Sequence, residues 1–169
     1  MPARSTHYQT AFEAFLRGKS IPYVRVEEVK KALFANARLK SFDFVVYSKN
    51  GKNLLIDIKG RSHRKRDKQV RRGSFDAWST EKDVDDLAQW EQVFGEDFKA
   101  VLTFVYWVDA PNGLFPPGLF KHQDRWYLLM GIDLKEYRNR MRRRSAKWET
   151  VSLAAQDFRS LARPLETWL

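Results

Sequence analysis

Residues 41–60, Ser-Phe-Asp-Phe-Val-Val-Tyr-Ser-Lys-Asn-Gly-Lys-Asn-Leu-Leu-Ile-Asp-Ile-Lys-Gly, constrain the fold more than any other stretch. Two apolar runs flank Asn50-Gly51, a pair that favours a tight turn between antiparallel strands. Side chains alternate faces along a strand, so Asp57 and Lys59 share one face. A two-residue loop would set Asp43 opposite Ile58 and send the two carboxylates to opposite faces. A three-residue loop, Lys49-Asn50-Gly51 with Gly51 left-handed as a G1 bulge, pairs Ser48 with Lys52. That register sets Asp43 opposite Asp57 and Ser41 opposite Lys59. The other face then reads Phe42, Phe44, Val46, Leu54, Ile56 and Ile58, all apolar. The second register is expected because it sorts every side chain by chemistry.

It also places two like charges opposite each other, which repel across a sheet. Either one aspartate keeps its proton or a cation sits between them. Lys59 is one such cation. A divalent ion with hard oxygen ligands is a better one, and Mg²⁺ is held by one or two carboxylates with water and substrate phosphate. A bland alternative is a hairpin with two exposed carboxylates and a surface lysine.

Asp43, followed fourteen positions later by Asp57-Ile58-Lys59, resembles the PD-(D/E)XK nuclease superfamily, in particular its small resolvase-like and restriction-endonuclease-like members. Phe42 stands where the first motif usually has proline. The resemblance implies an α/β fold with an αβββαβ core, a mixed central sheet and flanking helices. It implies a metal-dependent endonuclease that hydrolyses phosphodiester bonds, with Mg²⁺ replaceable by Mn²⁺. Asp43, Asp57 and the Ile58 carbonyl would hold the metal, and Lys59 would position the attacking water and stabilise developing charge. The resemblance also places Glu13, on the first helix, at the metal. Glu27 or Glu28 is an alternative for that role.

The remaining chain is compatible with this order. Residues 6–17 read as an amphipathic helix with Tyr8, Phe12, Phe15 and Leu16 inward. Glu13 lies off that stripe, where an ordinary pair with Arg17 is the competing reading. Residues 21–26 read as a short strand and 27–34 as one or two helical turns. The hairpin arms are expected at 39–48 and 52–59. A basic loop is expected at 61–72, carrying Arg61, Arg64, Lys65, Arg66, Lys68, Arg71 and Arg72. Beside the carboxylates, such a loop suits phosphate contacts that give affinity without reading sequence.

A helix is expected at 80–94, with Val84, Leu87, Ala88 and Phe94 inward. Gln89 on that helix is the candidate supporting residue, by the resemblance. The near-continuous apolar run 98–108 predicts a strand buried on both faces, parallel to the second hairpin arm across the intervening helix. Residues 109–118 read as a loop and 125–132 as a strand. A helix capped by Asp133 is expected to run to about Ser145. It would present Arg138, Arg142, Arg143 and Arg144 outward for forked phosphate contacts. A strand at 148–153 and a short helix at 154–162 complete the reading.

Residues 1–169 are expected to form one domain, with the core at about 5–108 and a basic C-terminal extension of strands and helices at 109–169. The chain has no cysteine, which excludes disulfides and thiolate metal sites. It has no apolar leader and no run long enough for a membrane span, so a cytoplasmic location is expected. A net charge of +10 and a pI near 9.9 favour a polyanionic partner. DNA is expected before RNA, and homodimerisation is compatible with cutting both strands. The alternatives are a nucleic-acid-binding module without catalysis and a basic adaptor on the same fold.

Overall fold

The computed structural model describes residues 6–26, 39–49, 51–65, 75–113 and 116–169. The helical turns expected at 27–34, with Glu27 and Glu28, lie outside the described residues. So do Asn50 and the segment holding Arg66, Lys68, Arg71 and Arg72.

Helix α1, His7–Gly18, starts at a capping box. Thr6 accepts from the Gln9 amide, and the Gln9 side chain accepts from the Thr6 amide. The inward stripe is Ala11, Phe12, Phe15 and Leu16. Strands β1 (Tyr23–Arg25), β2 (Phe44–Val46) and β3 (Asn53–His63) follow, then the two-residue β4 (Ser79–Thr80) and helix α2 (Glu81–Phe94). Strand β5, Phe98–Val108, completes the αβββαβ core, with β4 as an insertion.

The register between β2 and β3 is the one expected for the longer loop: Phe44 faces Ile56, Val45 faces Leu55 and Val46 faces Leu54. Strand β3 runs parallel to β5 over eleven residue pairs, from Asn53 beside Phe98 to His63 beside Val108. The other ladders of the main sheet are antiparallel, so the sheet is mixed. Its order is β1-β2-β3-β5-β7-β10, with β7 at Arg125–Asp133, β10 at Arg163–Pro164, and β6 (Leu119–His122) also pairing β7.

Both faces of the sheet are covered, which explains the apolar continuity of β5. On one face Val101 and Val105 join Phe44, Val46, Leu54 and Ile56 against α1. On the other, Ala100, Leu102, Phe104 and Tyr106 join Val45 and Leu55 against α2, with Val84, Leu87 and Trp90 buried there. Phe42 was expected on the face of Phe44 but belongs to this second cluster, because the β2 ladder ends at Phe44 and the chain bends at Asp43.

Three further departures have identifiable causes. The strand carrying Asp57 and Lys59 does not give way to a loop at Arg61, since β5 offers a full-length partner ladder up to His63. The helix expected to reach Ser145 is α3, Leu134–Arg140; Met141 is already extended (φ −61°, ψ 146°). Arg142–Ser145 form strand β8, paired with β9 (Thr150–Ser152), which pairs β4 in a separate three-stranded sheet. Helix α4 (Ala155–Leu161), β10 and a short 3₁₀ turn, Leu165–Trp168, end the chain. Strand β6 was not anticipated, because its turn into β7 uses Gln123 and Asp124 at positive φ (47° and 62°) where glycine would have signalled it.

Gly60 lets α1 sit close on β3. A Cβ added there would collide with the Tyr8 ring. Gly60→Ala should therefore cost about 1–3 kcal/mol of stability through overpacking, read as a lower urea midpoint at unchanged slope.

Candidate active site

Asp57 and Lys59 project from β3 toward α2, on the face shared with Leu55. Asp57 is only 9% exposed. Its Oδ2 lies 2.8 Å from Lys59 Nζ. The same Nζ lies 2.6 Å from Asp83 Oδ2, in the first turn of α2. Burial by itself would lower the Lys59 pKa, but the Asp57 and Asp83 carboxylates outweigh it and hold the ammonium above its ordinary value. Lys59 is thus a fixed cation at neutral pH.

Asp83 is fixed by sequence-local and tertiary contacts together. Thr80 caps α2, its hydroxyl accepting from the Asp83 amide at 3.0 Å. The Asp83 Oδ1 lies 2.6 Å from Lys40 Nζ. Burial would raise its carboxyl, but Lys59 and Lys40 hold it below the ordinary range. Lys40 is also held through its backbone: its amide donates to Asp86 Oδ2 at 2.7 Å, and its carbonyl accepts from Trp90 Nε1 at 3.0 Å. Helix α2 therefore grips the chain three residues before Asp43.

Asp43 terminates the β2 ladder. Its amide donates to the Ile56 carbonyl at 2.9 Å, and its Oδ2 accepts from the Ile58 amide at 2.7 Å. The carboxylate thus takes a backbone donor of β3 that a continued strand would have used. Gln9 of α1 donates to Asp43 Oδ1 at 3.0 Å. The capping box already holds that side-chain amide, so the helix start and the site share one residue. The like-charge confrontation expected between Asp43 and Asp57 is relieved by separate partners: Ile58 and Gln9 for the first, Lys59 for the second.

The candidate residues do not all assemble. Glu13, one turn beyond Gln9, accepts from the Tyr23 hydroxyl at 3.2 Å and faces Arg25 and Arg17 at 3.7 and 3.8 Å. The α1 residue that touches Asp43 is Gln9 instead. Gln89 is exposed on the outer side of α2, and the helix residue at the lysine is Asp83. Neither Asp83 nor Lys40 carried a local motif; Asp83 is marked by its pairing with Lys59, and Lys40 by its pairing with Asp83. Among the described residues no three acidic or imidazole side chains converge as a metal cage.

The donor set still suits a hard cation. It consists of two carboxylates on neighbouring segments and the Ile58 carbonyl, all oxygen donors. Mg²⁺ takes one or two carboxylates and leaves other positions to water and phosphate, so a third acid is not required.

The basic residues lie around two tryptophans, beside Asp109 and along α2. Arg61 lies on β3, two residues beyond Lys59 and on its face. Its guanidinium carbon is 3.9 Å from the Trp78 ring centroid, and Nη2 donates to the Trp78 carbonyl at 2.6 Å. Arg144 covers the same ring at 5.1 Å. Arg64 lies 3.4 Å from the Trp107 ring centroid, with Arg125 at 4.4 Å. The Lys65 amide donates to Asp109 at 2.8 Å. Arg138 and Arg143 reach Asp85 and Glu81 of α2 at 3.4 and 3.0 Å, exposed pairs that phosphate can displace.

No family model matches the chain, and no curated protein matches it either. Among solved structures it is similar to Hjc of Archaeoglobus fulgidus, a Holliday junction resolvase from an archaeal hyperthermophile. The TM-score is 0.56 at 10% identity, covering 97% of this chain and 98% of that one. At that identity the likeness is one of fold, and it spans nearly the whole of both chains. The chain therefore adopts the restriction-endonuclease-like fold, the architecture that its resemblance to the PD-(D/E)XK nucleases implied.

Proposed function

We propose that the protein is a metal-dependent nuclease that hydrolyses phosphodiester bonds of DNA. The observation that carries this reading is Lys59, clamped as a permanent cation between Asp57 and Asp83, beside an Asp43 carboxylate seated on the Ile58 amide. A binding module has no need to bury carboxylates where a polyanion must approach. The similarity of fold to a Holliday junction resolvase supports the same class of chemistry.

Asp43, Asp57 and the Ile58 carbonyl would hold Mg²⁺ or Mn²⁺. Glu13 is left out of that set because its carboxylate is engaged by Tyr23 and Arg25. When bound, the metal supplies Lewis acidity and a water of lowered pKa. Lys59 donates toward the attacking water or the scissile phosphate and stabilises negative charge as it develops. Asp83 is a positioning residue that keeps Lys59 aimed and protonated. Gln9 fixes the Asp43 carboxylate through a hydrogen bond. Arg61, Arg64, Lys65 and the arginines of α3 and β8 would contact the backbone of the nucleic acid. Such contacts supply affinity that falls as salt rises.

The test is incubation with plasmid, single-stranded and branched DNA in Mg²⁺, Mn²⁺ or EDTA. Cutting with either metal and none in EDTA is expected. Binding to all three substrates with no cutting in either metal would favour the non-catalytic binding module.

A further inference from the structure

The β8–β9 hairpin ends in the most exposed large apolar side chain among the described residues, Trp148, at 68% exposure. A tryptophan held this far into water is unusual for a chain with a full core. Its setting is strongly basic: residues 142–152 carry Arg142, Arg143, Arg144 and Lys147 against one acid, Glu149. Lys147 Nζ stands 5.2 Å from the Trp148 ring centroid.

The hairpin is rigid where it meets the body of the protein. Strand β9 pairs β4, with Ser79 facing Val151 and Thr80 facing Thr150; Ser79, Thr150 and Val151 are buried. The Glu81 amide, at the start of α2, donates to the Glu149 carbonyl at 2.9 Å. At the tip, the Trp148 amide donates to Ser145 Oγ at 3.3 Å. Glu149 holds a left-handed φ of 49°, which fixes the tight return of the chain.

It is also joined to the candidate active site. The ladder shifts register between Arg143 and Ser145. A bulge re-aims a side chain, and Arg144 reaches the Trp78 ring, on which Arg61 also lies. Arg61 follows Lys59 by two residues on one face of β3, about 7 Å along the strand. A basic and aromatic path thus runs from Lys59 through Arg61, Trp78 and Arg144 to the tip.

We propose that this hairpin is a base-stacking probe. Trp148 stacks on an exposed base face while Arg142, Arg144 and Lys147 hold the phosphates of the same strand. Continuous duplex offers no such face, whereas a single strand, a flap or a branch point does. The inference rests on the nucleic-acid substrate of the proposed function and adds to it a preference for interrupted DNA. Charge decides the occupant: a hairpin with four cations and one acid, Lys147 beside the Trp148 ring, suits a polyanion and repels a second copy of a chain with net charge +10.

Binding is measured in EDTA, on covalently closed duplex circles, on single strands and on branched DNA with 2-aminopurine at the branch. Trp148→Ala should weaken binding to the single strand and the branch by about tenfold and leave the closed duplex unchanged. Trp148→Phe should restore most of the loss. Wild type should quench 2-aminopurine, and the alanine variant should not. Equal binding of wild type and Trp148→Ala to every substrate would overturn the proposal, as would an equal loss on closed duplex. A change in sedimentation on Trp148→Ala with unchanged quenching would assign the indole to a second copy and overturn it too. Stacking in EDTA without any cutting in Mg²⁺ defeats the nuclease reading alone. Cutting without stacking defeats this inference alone.

Discussion

Asp57→Ala and Lys59→Ala should each lower the rate of DNA cleavage by at least about a hundredfold, the scale of removing one charge-stabilising group from a preorganised site. Binding to the same DNA in EDTA should change little, because neither side chain is exposed enough to carry affinity. The two losses should not add. Asp57 and Lys59 lie 2.8 Å apart and act as one unit, so the double variant should be scarcely worse than either single one. Single-turnover cleavage of a labelled branched duplex reads the rate, and a shift assay in EDTA reads binding. Retained cleavage in Lys59→Ala would remove the lysine from the chemistry.

Asp83→Ala should destabilise the fold by about 3 kcal/mol, the cost of removing one partner from a buried charge cluster. Lys59 and Lys40 both lose a carboxylate oxygen 2.6 Å away. The pH dependence follows from the direction of each shift. Asp83 titrates below its ordinary 3.8 when folded. Its contribution is present above that value and is lost as pH falls through the folded pKa. Lys59 titrates above its ordinary 10.5 when folded. Its contribution is present below that value and is lost as pH rises through the folded pKa. The gap between wild type and Asp83→Ala should thus be flat between about pH 5 and pH 9 and narrow at both extremes. Urea unfolding across pH measures it; a gap that grows in acid would contradict the assignment.

The parts of this fold that announce themselves locally were legible in the sequence. Face alternation around Gly51 selected the register that brings Phe44 to Ile56. The apolar run 98–108 marked the doubly covered strand, and its length matches β5 residue for residue. Boundaries failed where tertiary partners override local chemistry. Arg61 reads as loop, yet β5 supplies its backbone bonds and Trp78 covers its guanidinium. The stripe Leu134, Tyr137, Met141 continues a helical period past Arg140, with no glycine or proline to end it. The helix ends because Arg142 and Arg143 pair with Ser152 and Val151.

The site was half legible for the same reason. Asp43, Asp57 and Lys59 stand in a recognisable spacing. Asp83 looks like an ordinary first-turn acid, Lys40 like a solvated lysine and Gln9 like a capping residue. Their roles arise only when α1 and α2 close on the edge of β3. Glu13 and Gln89 were chosen by resemblance, but one faces Tyr23 and Arg25 and the other faces water.

Asp43 and Asp57, on neighbouring segments, are proposed to form a divalent-cation site with the Ile58 backbone. Mn²⁺ titrated into the protein, followed by the loss of the free-ion paramagnetic signal, tests it without any substrate. One site is expected in wild type and in Glu13→Gln, abolished in Asp43→Asn and in Asp57→Asn. Identical Mn²⁺ uptake by wild type and both aspartate variants would show that these carboxylates do not hold the ion.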